Sequence, residues 1–134
     1  VKVLFFFLEH NLKKESGYNY FRLKDCCNER ILTMDDSSIT ITDFDYIVDA
    51  MIGTGIKGKL REPYAGIIDK INQSKAKVIA VDIPTGLDPD TGKTIDKLID
   101  PDKIYTFHDI KPGLMKFKEK VEIIDIGIPE DIEL

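Results

Sequence analysis

Apolar positions along this chain fall into short continuous runs, and two stretches between them have the spacing of helices. Residues 1–8 read as a buried strand, because the run is short, β-branched and aromatic. Residues 12–27 read as a helix with Tyr20, Leu23 and Cys27 on one face, against the weakening effect of Gly17. A short strand is expected at 31–34 and a stronger one at 45–51, around the apolar Tyr46-Ile47-Val48. A glycine-rich turn, Gly53-Thr54-Gly55-Ile56-Lys57-Gly58, follows. A helix over 62–74 then places Tyr64, Ile67, Ile68 and Ile71 at i, i+3, i+4 and i+7. Pro63 suits its first turn, where no N–H is needed. Further strands are predicted at 78–81, 104–107 and 121–126, with loops between the late ones. The loop-rich stretch 86–102 is expected to cover a site.

Strands that are continuously apolar imply a sheet covered on both faces. The fold class is therefore α/β, a three-layer sandwich with a mostly parallel central sheet. At 134 residues the chain suits one domain with a single core. The first residue is Val and already lies in a strand-like run, so the start reads as trimmed, lost or misread.

Charge and composition narrow the function classes. The net charge of −5 gives no basic surplus for nucleic acid. The longest apolar run is too short to span a bilayer, and the start lacks a secretory signal's features. Cys26 and Cys27 are adjacent and without metal-type spacing, which suits reduced thiols on a helix in the cytoplasm.

Ligands of open parallel sheets bind beyond the carboxyl ends of the strands. Asp49 with the glycine turn, Asp82 with Thr85, and Thr106-Phe107-His108 all stand at such ends. The turn matches a GxGxxG pattern and nearly a P-loop. The P-loop reading fails at Leu60, where a Ser or Thr should hold Mg²⁺. A dinucleotide fold would need an acid about twenty residues on, and Asp82 lies further along. The turn either serves a phosphate through its backbone N–H groups or simply needs glycine. Asp49 and Asp82 either cap turns or act as a cation ligand and an acid/base. Thr85 could add an oxygen to a hard cation. Asp88 to Gly92 looks superficially like a calcium loop and is read as a turn. His10 and His108 stand alone, and no Ser/His/Asp set can be assembled.

The stretch from Asp45 through Gly58, followed by Arg61-Glu62-Pro63-Tyr64, resembles the NAD(P)HX epimerase family, also called the YjeF N-terminal type. So do Val81-Asp82-Ile83-Pro84-Thr85-Gly86-Leu87-Asp88 with Thr91-Gly92, then Thr106-Phe107-His108 with Lys111-Pro112-Gly113-Leu114, and Asp125-Ile126-Gly127-Ile128-Pro129. The resemblance implies a Rossmann-like fold and interconversion of the R and S hydrates of NADH and NADPH, a nicotinamide-nucleotide repair reaction. It also implies one potassium ion per subunit, held by Asp49 and by Thr85, where the family usually has Ser. Gly53, Thr54, Gly55, Ile56, Lys57, Gly58 and Lys59 become the nucleotide-contacting loop, and Asp82 the substrate-contacting acid and catalytic candidate.

Implied partners are NADHX or NADPHX as substrate, an ADP- or ATP-dependent dehydratase, fused or separate, and a second copy in a homodimer. No nucleic-acid or membrane partner is expected. The family's N-terminal part, with its Asn-Asn-Gly-Gly-Asp-Gly loop, has no counterpart in this sequence. Residues 1–134 thus read as one N-terminally incomplete domain of this type. The alternative function is a non-catalytic nucleotide-binding or protein-interaction domain.

Overall fold

A computed structural model describes residues 2–5, 14–27, 31–33, 41, 44–53, 58–60 and 62–129. The chain divides into two compact units, Val1–Thr40 and Ile41–Leu134. In the first unit, strands β1 (Val3–Phe5) and β2 (Ile31–Thr33) pair in parallel, with helix α1 (Lys14–Cys27) between them in sequence. A parallel pair needs such a crossover, because a tight turn cannot reverse the chain twice. Tyr20 is buried on α1, Leu23 and Cys27 are half-buried beside it, and Tyr18 and Phe21 are exposed. Gly17 is accommodated within the helix, and neither Cys26 nor Cys27 is in a disulfide.

The second unit holds a four-stranded, all-parallel sheet in the order β3-β4-β5-β6. The strands are β3 (Tyr46–Asp49), β4 (Lys77–Val81), β5 (Lys103–Phe107) and β6 (Val121–Ile124). Helix α2 (Tyr64–Gln73) connects β3 to β4. It begins two residues later than the sequence suggests, with Pro63 just outside it. The Glu62 carboxylate accepts the Gly66 N–H at 3.2 Å, so an otherwise orphaned first-turn donor is satisfied. At the other end, the Ser74 hydroxyl donates to the Ile71 carbonyl at 2.7 Å.

The apolar stripe of α2 buries Ile68 and Ile71 against Val78 and Ile99, with Ile47 and Met51 packed alongside. Each fully buried side chain of this size contributes about 1.5–3 kcal/mol. A second cluster joins Ala80, Ile83, Leu87, Ile104 and Leu114. Leu114 belongs to a 3₁₀ helix, Pro112–Lys120, which leads directly into β6. This helix stands where the sequence suggests only loop. Its apolar residues are too sparse to show a clear period, and Gly113 and Leu114 are buried because they meet other parts of the chain.

Burial alternates along the strands instead of being uniform. Val78, Ala80, Ile104 and Thr106 are buried on the face that packs against α2 and the 3₁₀ helix. On the opposite face Tyr46 and Val48 are 60% and 61% exposed, and Val81 and Tyr105 are half-buried. Within this unit the described helices lie on one face, so the other is only partly withdrawn from water. Among the described residues, no helix is long and apolar enough to cross a membrane.

Candidate functional site at the strand ends

Two polar clusters form where β3, β4 and β5 end. The first is centred on Asp49, the last residue of β3, which is 1% exposed. Its Oδ2 accepts the Thr85 N–H at 2.7 Å. Its Oδ1 accepts the Thr85 hydroxyl at 2.7 Å and the Met51 N–H at 3.3 Å. Thr85 is itself fully buried, and its Oγ1 accepts the Ile52 N–H at 3.2 Å. A single threonine thus joins the end of β3, the entrance of the glycine turn and the loop after β4.

Burial pushes the Asp49 carboxyl above the usual aspartate range, against the lowering effect of the bonds from Thr85 and Met51. No lysine or arginine faces it among the described residues. The raised value means that the folded state binds more protons than the unfolded chain between the ordinary pKa and the folded one. Stability contributed by this group is therefore lost as pH rises through that window. In potassium-free buffer, wild type should lose melting temperature relative to Asp49→Asn as pH goes from about 4 to about 7. A constant gap between the two melting curves would mean that the Asp49 charge carries no such penalty.

Thr85→Val should cost about 1–3 kcal/mol in urea unfolding, because the Ile52 N–H loses its acceptor and Asp49 loses a donor. Thr85→Ser keeps the hydroxyl and should stay within about 1 kcal/mol of wild type. Equal losses for the two variants would show that the methyl group, not the hydroxyl, holds this corner together.

The second cluster is centred on Asp82, one residue beyond β4. Its φ is +66°, a left-handed conformation uncommon for a residue with a side chain. The Ile83 N–H bonds back to the Val81 carbonyl at 2.8 Å, closing a tight γ-turn of the strained kind. The same pattern recurs after β5. His108 has φ +64°, and the Asp109 N–H bonds to the Phe107 carbonyl at 2.7 Å. Strained turns of this sort persist where the surroundings over-determine them, and they concentrate at functional sites.

The Asp82 Oδ1 accepts three hydrogen bonds: from Lys111 Nζ at 2.5 Å, the Thr106 hydroxyl at 3.1 Å and the Phe107 N–H at 3.1 Å. Its Oδ2 accepts none from the described residues, and the side chain is 33% exposed. Burial raises the carboxyl's pKa, but the bonds and charge of Lys111, with the bonds from Phe107 and Thr106, outweigh it and hold the group below the usual range. Asp82 is therefore a partly exposed carboxylate with one oxygen saturated and the other available to a ligand.

Of the other positions singled out in the sequence, Gly53 is exposed with open space around its Cα, and Gly58 has φ +78°, which favours glycine. Lys59 is exposed. Thr54, Gly55, Ile56 and Lys57 lie outside the described residues, as does His10. Asp88 closes a turn, its Oδ1 accepting the N–H groups of Asp90 and Thr91 at 3.1 and 2.8 Å. The stretch 86–102 is stitched to the core, with Leu87 and Ile99 buried and the Ile99 N–H bonded to the Thr85 carbonyl at 3.0 Å. Lys111 is the site residue that reasoning from individual residues missed. It lies beyond the strand end, and only its place in the Lys111-Pro112-Gly113-Leu114 motif marked it.

A family model described as "YjeF-related protein N-terminus" matches residues 1–113. The chain belongs to the YjeF N-terminal family. Among relatives, it is 40% identical over 129 residues to an NAD(P)H-hydrate epimerase of Nitrosopumilus maritimus, covering 92% of this chain and 59% of that protein. It is 50% identical over 94 residues to a bifunctional NAD(P)H-hydrate repair enzyme Nnr of Archaeoglobus fulgidus, covering 68% of this chain and 20% of that protein. The chain thus spans only part of the length of these relatives. The crystal structure of yeast ynu0, YNL200c, matches with a TM-score of 0.71 at 23% identity, over 89% of this chain and 53% of that one. That likeness establishes the fold, a Rossmann-like α/β architecture. In this member of the YjeF N-terminal family, the two polar clusters fall within the motifs that carry the resemblance.

Proposed function

We propose that the protein carrying this chain epimerises the R and S forms of NAD(P)HX. The observation that carries this reading is Asp82, a carboxylate at the carboxyl end of a parallel strand, held in a strained turn, whose Oδ2 accepts no hydrogen bond from the described residues. Inverting a carbon that bears a hydroxyl requires a bond at that carbon, or a neighbouring one, to open and re-form. Asp82 Oδ2 takes the proton whose departure lets that bond open. It returns the proton once the bond has re-formed from the other face, so no net proton is consumed. General acid–base help of this kind is worth about 10²–10⁴ in rate. The names of the Nitrosopumilus and Archaeoglobus relatives support the substrate class.

The glycine-rich sequence from Gly53 to Lys59 suits the phosphates of such a substrate, since backbone N–H groups at glycines can approach an anion closely. Its entrance is anchored through Ile52 on Thr85, which ties the nucleotide loop to Asp49. Asp49 and Thr85 also fit a monovalent cation. A buried carboxylate with a raised pKa and no cation against it among the described residues lacks a compensating charge there, and its surroundings offer hydroxyl and carbonyl oxygens suited to a hard ion. No group of three or more His, Cys, Asp or Glu forms a metal cluster among the described residues, but potassium does not require one. Bound there, potassium would neutralise Asp49 and help position the nucleotide. A dehydratase, on the same polypeptide or separate, would consume the S product.

The test is conversion of (R)-NADHX to (S)-NADHX in potassium buffer, followed by chiral chromatography against the spontaneous rate. Acceleration by the full-length protein is expected. A rate equal to the spontaneous one would leave a non-catalytic nucleotide-binding module and end the epimerase reading.

A further inference from the structure

We propose that Lys111 is a positioning residue that fixes Asp82 with one oxygen engaged and the other presented to the substrate; the inference rests on the epimerase reading above.

An ammonium has three donors, and all three of Lys111 have acceptors: Asp82 Oδ1 at 2.5 Å, Thr106 Oγ1 at 3.1 Å and the Phe107 carbonyl at 2.9 Å. With its donors committed, Lys111 has none left for a substrate. It acts through the carboxylate instead. Thr106 accepts from Lys111 and donates to the same Asp82 oxygen, so the three groups form a closed triangle. The Phe107 backbone enters the network twice, its N–H bonding Asp82 and its carbonyl accepting Lys111. Every bond to the carboxylate from the described residues converges on Oδ1. This fixes the direction in which Oδ2 points, which matters because reacting groups held in an oriented geometry lose far less entropy on reaching the transition state.

The lysine is itself firmly placed. Pro112 and Gly113 follow it, and the Gly113 N–H bonds to the Pro89 carbonyl at 2.6 Å. A side chain at 113 would lie 2.4 Å from the Asp88 carbonyl oxygen, so only glycine permits this contact. Leu114, next along, is fully buried. The turn at Asp88–Gly92 therefore sets the position of Lys111 from outside the site. Among the described residues, Lys111 is the charged group facing Asp82; Thr106 and the Phe107 N–H are neutral.

The experiment compares wild type, Lys111→Met and Lys111→Arg in the full-length protein. Epimerisation kinetics are measured across pH, and the Asp82 carboxyl is titrated by ¹³C NMR. Lys111→Met keeps the aliphatic stem and should lower kcat about 100-fold with KM within about twofold. The acidic limb of its kcat profile and the Asp82 titration should both move up by about one pH unit. Lys111→Arg keeps the charge but not the three-way geometry, and should recover to at least about a tenth of wild-type kcat. A raised KM with unchanged kcat would place Lys111 on the substrate and overturn the proposal. So would an unmoved Asp82 titration in Lys111→Met. That titration needs no turnover, so it decides the role of Lys111 even if wild type fails to epimerise, an outcome that would sink the epimerase reading separately. Thermal melts of all three proteins exclude misfolding as the cause, and Lys111→Arg serves if Lys111→Met does not fold.

Discussion

Asp82→Asn should reduce epimerase turnover by about 10²–10⁴-fold while leaving nucleotide binding nearly intact. The amide has the shape of the carboxylate but cannot take up a proton. Its orientation is dictated by the three donors that converge on the Oδ1 position from Lys111, Thr106 and Phe107. The amide oxygen must sit there, which turns the NH₂ group to the open position. A proton acceptor at the substrate is thereby replaced by a donor. Folding should survive, because the lost ion pair is about a third exposed and such pairs contribute only about 0–1 kcal/mol. The measurement is kcat and KM for (R)-NADHX with each purified protein. A kcat near that of wild type would remove Asp82 from the chemistry, whereas a large rise in KM alone would make it a binding residue.

Gly86→Ala should abolish cooperative folding of the second unit. Gly86 has φ +97°, and a Cβ there would lie 1.8 Å from the Lys97 carbonyl oxygen and 3.1 Å from the Leu98 Cα. Both are backbone atoms, so no flexible side chain can swing aside. The opposing segment is also pinned to α2: Asn72 donates to the Leu98 carbonyl at 2.9 Å and accepts the Asp100 N–H at 3.0 Å, while Lys97 pairs with Asp69. Relief would require the loop to move as a body and to break the Ile95 N–H bond to the Gly86 carbonyl. A backbone clash with strained φ belongs among the rare substitutions costing more than about 4 kcal/mol, against a total stability of about 5–15 kcal/mol. Circular dichroism should show no cooperative thermal transition. Gly53→Ala, with open space around it, is the control and should melt within about 0.5 kcal/mol of wild type. A normal melt for Gly86→Ala would mean that the loop reshapes far more easily than its bonds suggest.

Much of this architecture was legible in the sequence. Every described strand and α-helix falls within or close to the range its apolar run suggested, because β-branched runs and the Tyr64-Ile67-Ile68-Ile71 stripe encode local geometry directly. Asp49, Asp82 and Thr85 could be singled out for a similar reason. In a parallel sheet, the residue after a strand is placed by topology, and topology follows from the order of the elements. The 3₁₀ helix left no such trace. It forms because Pro112 starts it and Gly113 fits against the Asp88–Gly92 turn, a contact between segments distant in sequence. The alternating burial of the sheet was likewise invisible, since an apolar run does not say which of its two faces a helix will cover.

The division at the site follows the same physics. By itself the sequence determined the parallel α/β fold, the strand ends at which polar residues gather, and the family to which the chain belongs. Only the tertiary structure decided what those residues do to one another. It buried Asp49 with no countercharge among the described residues and turned Thr85 into the bolt between two loops. It also brought Lys111, 29 positions away in sequence, onto a single oxygen of Asp82. Local pattern fixes where a backbone ends a strand; a carboxylate's charge state and free lone pairs depend on neighbours that the chain brings near only by folding.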